Sequence, residues 1–395
     1  MKRILILTSR LPVPLTSGEK IRILNICRGL SREFELVLLS LCASKEELED
    51  NSPELDIFTE VHKVYLPVAT SLANTARALL SSEPLQVAYY RSDAFARKVD
   101  ELLPGVDCVI AHLVRTSDYV RSATDVVKIL EMTDAISLTY QRLIGQRLRK
   151  SIKSIIYQKE YRRLQRYERA VAEEFDMVSL ISQVDKSYLA ALGAPTDRIE
   201  IFTNGVTLED LPYLGPGDGG DVVFIGNMRT LPNIDACRFM ATEVLPLIHR
   251  EEPSIRFKII GSAPEAATRE FSKYPGVQVV GRVAKIADAA SGAFASVCPM
   301  RVGAGVQNKV LEYLALGLPC VTTSIGLEGI EAAPDQDLLI SDRPADIAEA
   351  VLRLYRNREM GRALSTSGRH FVETEHTWAP IQDAYCRKVQ GLLGK

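Results

Sequence analysis

Residues Arg301 to Thr323 read RVGAGVQNKVLEYLALGLPCVTT. This stretch decides the fold, because it joins a glycine-rich turn, a short helix and a buried strand. The apolar run Ala293-Phe294-Ala295-Ser296-Val297-Cys298 before it reads as a strand closed by Pro299. Gly303 and Gly305 then let the backbone turn tightly and approach a ligand. Val310, Leu311, Leu314 and Ala315 give the following helix one apolar face, Gly317 and Pro319 end it, and Cys320 to Thr323 forms the next strand. In a unit of this kind the free amides at the helix start and the positive end of its dipole attract phosphate, and Arg301 and Lys309 add formal charge beside them. Glu312, one turn further on, suits two vicinal hydroxyls, such as those of a ribose, better than a diphosphate. The same residues also fit an ordinary strand-to-helix turn with Glu312 as a solvated helix residue, and composition leaves both readings open.

The chain has 395 residues, enough for two domains with separate cores. Its 48 basic and 50 acidic residues nearly cancel and provide no general attraction for nucleic acid. The seven cysteines are scattered and mostly lie in apolar segments. They read as reduced core residues of a cytosolic protein, without the paired spacing of a zinc site or redox dithiol. The N-terminal apolar run around Ile4 to Thr8 is too short for a signal-peptide core or membrane span and reads as a buried strand.

From that strand onward, strands and helices alternate. Strands are expected at Ile4 to Thr8, Phe34 to Leu41, Val61 to Leu66, Cys108 to Ala111, Val126 to Leu130, Met177 to Ile181 and Ile199 to Thr203. The polar, turn-forming segment from Leu211 to Gly220 breaks the pattern and marks a linker. Alternation then restarts with Val222 to Ile225, Arg256 to Ile260 and Val277 to Val280, and leads into the opening unit. The expected fold is therefore α/β, with two Rossmann-like halves that bind ligands at the carboxyl ends of their strands. Trp378 to Leu393 reads as a last amphipathic helix.

Several motifs carry a family resemblance. They are Val223-Phe224-Ile225-Gly226, Ile259-Ile260-Gly261, Val280-Gly281-Arg282-Val283 and above all Lys309 to Pro319. The first half adds Ser17-Gly18, His112 and Asn204-Gly205-Val206. Together they resemble the retaining family 4 glycosyltransferases (glycosyl transferases group 1). Ser17 to Arg22 and Tyr89-Tyr90-Arg91-Ser92 are similar to the bacterial members associated with exopolysaccharide systems. The resemblance implies a GT-B fold, two Rossmann-like domains facing across a cleft. Residues 1–207 would be the acceptor side, 208–220 the linker, 221–375 the nucleotide-sugar domain and 376–395 a helix crossing back to the first domain. It assigns Glu312 to the donor ribose, Gly281-Arg282-Val283 to the edge of the base, His112 to the transferred sugar and Gly18 to the phosphate. Gly226, Gly303, Ala304, Gly305 and Val306 complete the expected donor site.

The chain departs from the family pattern at two places. Ala304 stands where a sugar-contacting glutamate is common, and Gly226 to Asn233 contains Arg229 as its one basic residue. The diphosphate role therefore shifts toward Arg301 and Lys309. Arg229, Arg301, Lys309 and the loop amides are expected to stabilise charge growing on the leaving group. The resemblance implies a metal-free, cofactor-free reaction, with the acceptor attacking on the face the diphosphate leaves. His112 would orient a sugar hydroxyl, although a satisfied strand-end histidine is the alternative. Lys20, Arg22, Tyr90 and Arg91 are acceptor candidates, with packing the other reading of the aromatic pair.

Residues 141–169 hold ten basic and two acidic side chains interleaved with apolar ones. This would suit an anionic membrane and a lipid-linked acceptor, or be simply a solvated face. The expectation is a cytoplasmic enzyme, peripheral at the inner face of the membrane. It would move a hexose from a nucleotide-diphosphate sugar to a growing, lipid-linked exopolysaccharide or surface glycan. The alternatives are a sugar-nucleotide epimerase of the same fold, which needs added carboxylates, and a non-catalytic nucleotide-sugar-binding protein, prompted by Ala304. A dinucleotide dehydrogenase is disfavoured, because Ser9-Arg10-Leu11-Pro12-Val13-Pro14 is no phosphate-binding glycine fingerprint.

Overall fold

A computed structural model describes residues 1–15, 17–145, 152–303 and 305–394. The chain forms two compact units, Met1–Thr203 with Ala379–Lys395, and Asn204–Trp378. The first unit has seven strands: β1 Arg3–Thr8, β2 Glu35–Cys42, β3 Glu60–Tyr65, β4 Cys108–His112, β5 Val127–Thr133, β6 Met177–Leu180 and β7 Ile199–Ile201. They pair in parallel in the order β3-β2-β1-β4-β5-β6-β7. Continuous apolar runs such as Ile4-Leu5-Ile6-Leu7 suit a sheet covered on both faces, and all four are fully buried.

The second unit has β8 Asp221–Ile225, β9 Arg256–Ile260, β10 Val277–Gly281, β11 Ala295–Cys298, β12 Cys320–Thr322 and β13 Leu339–Ile340. All are parallel, in the order β10-β9-β8-β11-β12-β13. In both sheets the order reverses beside the first strand, between β1 and β4 and between β8 and β11. Crossovers leave that point in opposite directions and open a crevice at the carboxyl ends, where open parallel sheets bind ligands. The helical segment after β8, which begins at Leu231 and ends at His249, is broken at Met240–Val244 into a wider turn, just before Pro246, which has no amide to donate to the preceding turn.

The observed division differs from the expected one. It falls at Thr203/Asn204 and Trp378/Ala379, not at 207/208 and 375/376, and residues 208–220 lie inside the second unit. Hydrogen bonds account for the difference. Asn204 Nδ2 donates to Asn308 Oδ1 at 2.7 Å and the Val206 amide to the His376 carbonyl at 2.8 Å. The Leu214 and Gly217 amides donate to the Leu316 and Ala293 carbonyls, so the turn-forming segment is tied down and does not span freely. The C-terminal helix from Ala379 on belongs to the first unit. There Gln382 Nε2 donates to the Asn25 carbonyl at 2.8 Å and the Tyr385 ring packs against Phe202.

The first unit has a buried ionic centre. Arg22, on the helix Gly18–Leu30, donates from Nε to Glu131 Oε1 at 2.7 Å, from Nη2 to Ser179 Oγ at 3.2 Å and from Nη1 to the Thr203 carbonyl at 3.1 Å. Both charged side chains are at most 1% exposed. The fork thus ties the first helix to β5, β6 and the end of the β7 segment. Taking away one member would leave the other charged in a dry interior, which costs about 3–5 kcal/mol. Arg22→Met is therefore expected to lower unfolding free energy by about that amount in a urea titration, while Arg32→Met, at an exposed pair, changes it by less than about 1 kcal/mol.

Candidate functional site

In the second unit the switch point is lined by glycines where strands end. Gly226 follows β8, Gly261 follows β9 and Gly281 closes β10. At Gly261 the backbone has φ 135°, and a Cβ would lie 2.2 Å from the Gly226 carbonyl oxygen, so no other residue lets the two strand ends come this close. Gly281 has φ 84° with open space around it, and Arg282 beside it is exposed.

On the other side of the switch point, β11 runs into the turn containing Gly303 and Gly305, with φ 151° and 70°. Val302 and Val306 anchor that turn in the core, and Thr323 Oγ1 holds the Met300 carbonyl at 2.5 Å. The helix Asn308–Ala315 follows, and no side-chain cap covers its first amides. Tyr313 is fully buried and its hydroxyl accepts the Ile225 amide at 2.7 Å, which locks this helix to the end of β8. Glu312 is half-buried, and no protein donor among the described residues reaches its carboxylate. Burial raises its pKa, and Lys309 works the other way. The Lys309 ammonium donates to Gln307 Oε1 at 2.9 Å and sits 5.6 Å from the centre of the Phe224 ring. Arg229 is exposed and its guanidinium has no ion pair among the described residues.

Arg301 corrects the sequence reading. Its guanidinium meets Asp235 at 2.8 and 3.1 Å and Glu243 at 3.2 Å, and it lies over the Phe239 ring at 4.4 Å. With two carboxylates already matched to it, it ties the turn to the helix Leu231–Phe239 and is not the unengaged cation that the sequence reading expected. Ala304 lies outside the described residues.

In the first unit the switch point gathers Thr8, His112 and Thr133 at the ends of β1, β4 and β5. Thr8 Oγ1, Ser17 Oγ, His112 Nε2, Glu131 Oε2 and Thr133 Oγ1 are buried with no hydrogen-bond partner among the described residues. Such atoms are uncommon, and each costs about 1–3 kcal/mol if left unmade. Leu113 and Thr133 also hold positive φ, 64° and 69°, at neighbouring strand ends, a strain that clusters where side chains must be aimed. Gly18 is exposed at the start of the first helix. Burial lowers the His112 pKa to about 4, so its ring is neutral near pH 7.

Around it, Arg115 pairs with Glu19 at 3.4 Å and lies 5.3 Å from the Tyr90 ring centre, and Arg10 Nε donates to the Tyr90 hydroxyl at 2.9 Å. Asp134 follows β5. Burial first, and then the neighbouring Asp185, raise its pKa to about 7, against Arg115.

Three acceptor candidates take structural roles instead. Arg22 is enclosed in the ionic centre, Lys20 is buried and donates to the Val13 carbonyl at 3.0 Å, and Arg91 pairs with Glu83. Tyr90 is 6% exposed and packed edge-on against Tyr89.

Residues 219–357 match the family model described as Glycosyl transferases group 1. That stretch is similar to a glycosyl transferases group 1 domain and takes in less than half of the chain. The fold is shared with solved GT-B proteins. Sucrose-phosphate synthase (tll1590) from Thermosynechococcus elongatus is 16% identical with TM-score 0.74, with all of both chains covered. Alr3699/HepE of Anabaena in complex with UDP is 10% identical with TM-score 0.70, covering 99% of this chain and 100% of that one. TarM is 10% identical with TM-score 0.73, covering 100% and 99%. Among curated proteins, an "Uncharacterized 44.6 kDa protein in cps region" of Klebsiella pneumoniae is 24% identical over 165 residues. That match covers 40% of this chain and 42% of the relative, so the chain matches less than half of that protein's length.

The matched stretch contains the switch-point glycines, Arg229, Lys309 and Glu312. Sequence reading missed Glu19, Arg115 and Asp134 of the first unit. Asp134 was overlooked because the strand was expected to stop at Leu130 and in fact runs to Thr133. The signal was present in Met132-Thr133-Asp134, a polar end to an apolar strand.

The His112 shift predicts a pH dependence. The ring is harder to protonate in the fold than in the open chain, so its contribution to stability is complete above about pH 6.5 and is lost as pH falls toward about 4. The His112 ring signals should stay flat from about pH 5.5 to 8 in an NMR titration, and His112→Gln should flatten the loss of stability on the acid side.

Proposed function

We propose that the chain is a retaining glycosyltransferase that moves a hexose from a nucleotide-diphosphate sugar to a growing, lipid-linked bacterial surface or secreted glycan. The observation that carries the donor reading is the half-buried Glu312 carboxylate, which lacks a protein partner among the described residues and stands one turn into the helix that follows Gly303 and Gly305. A carboxylate so placed accepts both hydroxyls of a ribose, while the amides before it face the diphosphate.

In the reaction the bond from the anomeric carbon to the phosphate oxygen breaks and an acceptor hydroxyl oxygen bonds to that carbon from the same face. The hydroxyl proton passes to the departing phosphate oxygen. Arg229, Lys309 and the amides around Gly305 stabilise the growing negative charge without a metal ion, and Arg282 and Val283 edge the base. Arg301 serves by holding the turn.

The acceptor is assigned to the carboxyl edge of the first unit, where neutral His112 orients a hydroxyl and Glu19, Arg115 and Asp134 supply polar contacts. Two printed descriptions agree in kind. HepE was solved with UDP, and the Klebsiella relative is described as lying in a cps region.

Incubation with a panel of nucleotide sugars should release nucleotide diphosphate with at least one donor; absence of both release and binding for every donor removes the reading. Glu312→Ala should weaken nucleotide binding by about 1–3 kcal/mol in calorimetry, the worth of charged hydrogen bonds. Arg229→Ala should lower kcat about tenfold or more with the fold intact, whereas Arg301→Ala should act mainly by lowering the melting temperature.

A further inference from the structure

The helix Val68–Ala78 is inside out. It buries Ser71 and Ala78, yet leaves Val68 48% and Leu72 59% exposed. Leu79 and Leu80, which follow directly, are 40% and 94% exposed. A surface helix ordinarily turns its apolar stripe to the core, so this one presents the stripe to something outside the unit.

Its position beside the helix Ile152–Glu174 gives that surface a second property. Lys159 Nζ donates to the Leu79 carbonyl at 2.7 Å, and Arg163 Nη2 to the Ala78 and Leu79 carbonyls at 2.9 and 3.2 Å. These bonds cap the apolar helix and fix Leu80 next to the basic one. Ser81 and Ser82 share a shallow depression with Ile155, 68% exposed, and with Lys159, Arg162 and Arg166. All three cations are exposed, and none forms an ion pair among the described residues. The nearby carboxylates are engaged, Glu160 with the Leu85 and Gln86 amides and Glu83 with Arg91. The surface is thus an apolar ridge beside uncompensated positive charge.

We propose that this surface docks the protein on an anionic lipid bilayer. Leu72, Leu79, Leu80 and Ile155 would enter the boundary between headgroups and acyl chains, while Lys159, Arg162 and Arg166 meet lipid phosphates. A second copy of the chain is a poorer occupant, because a two-fold contact would set these cations against one another. The proposal deepens the lipid-linked acceptor reading and rests on it for its purpose, since a docked enzyme meets such an acceptor at the bilayer surface. It also narrows the basic segment 141–169. Residues 146–151 lie outside the described residues, Arg163 is buried as a cap, and the exposed part works together with a helix outside that segment.

The full chain is to be floated with vesicles of phosphatidylcholine alone and of phosphatidylcholine with phosphatidylglycerol. Binding to the anionic vesicles is expected, weakening as salt is raised. The double variants Leu72→Glu/Leu80→Glu and Arg162→Glu/Arg166→Glu should each reduce it about tenfold or more with unchanged circular dichroism, because all four side chains are exposed. Equal binding to neutral vesicles, no binding at all, or unchanged binding by both variants overturns the proposal. So does a dimer in light scattering that Leu72→Glu/Leu80→Glu dissolves. Nucleotide diphosphate release from soluble donor, measured on the same preparations, separates the two readings. Vesicle binding without release with any donor leaves docking standing and removes the transferase reading, and release without vesicle binding does the reverse.

Discussion

A parallel sheet brings the carboxyl end of every strand to one edge, and much of what this protein can do is built on that constraint. Parallel pairing requires a crossover after each strand, so the residues that leave a strand at this edge are free of the ladder and open to a ligand. In each unit the crossovers diverge beside the first strand. At the second unit's switch point lie Gly226 and the turn of Gly303 and Gly305; at the first unit's lie Thr8 and His112. The chemistry of the chain gathers at these two places.

The units meet the constraint differently. The second brings backbone close to backbone. Gly226 and Gly261 almost touch, Tyr313 ties the end of β8 to the following helix, and the Glu312 carboxylate has no protein partner among the described residues. The first brings side chains together. The buried Arg22–Glu131 pair joins the first helix to β5, Glu19 pairs with Arg115, and burial shifts the pKa of His112 down and that of Asp134 up.

Legibility followed the same division. The strands were readable because two-sided burial demands continuous apolar runs, and the turn before the helix Asn308–Ala315 was readable because its two glycines mark it. Arg301 was misread, since a cation beside a glycine turn looks available to phosphate until Asp235 and Glu243 are found against it. Arg22 looked like a surface cation for the same reason. The helix Val68–Ala78 escaped notice because apolar periodicity reports an amphipathic face and does not report whether that face is turned inward or outward.

By itself, then, the sequence determined the two parallel α/β units and the glycine turns at their strand ends, because local periodicity and glycine placement are properties of neighbouring residues. Tertiary structure alone decided which charges remain free. Whether an arginine faces a ligand or a carboxylate depends on residues far away in the chain, as Arg22 meets Glu131 and Arg301 meets Asp235. It also decided that four leucine, isoleucine and valine positions around Leu80 face outward, since burial is a property of the whole fold and not of any one segment.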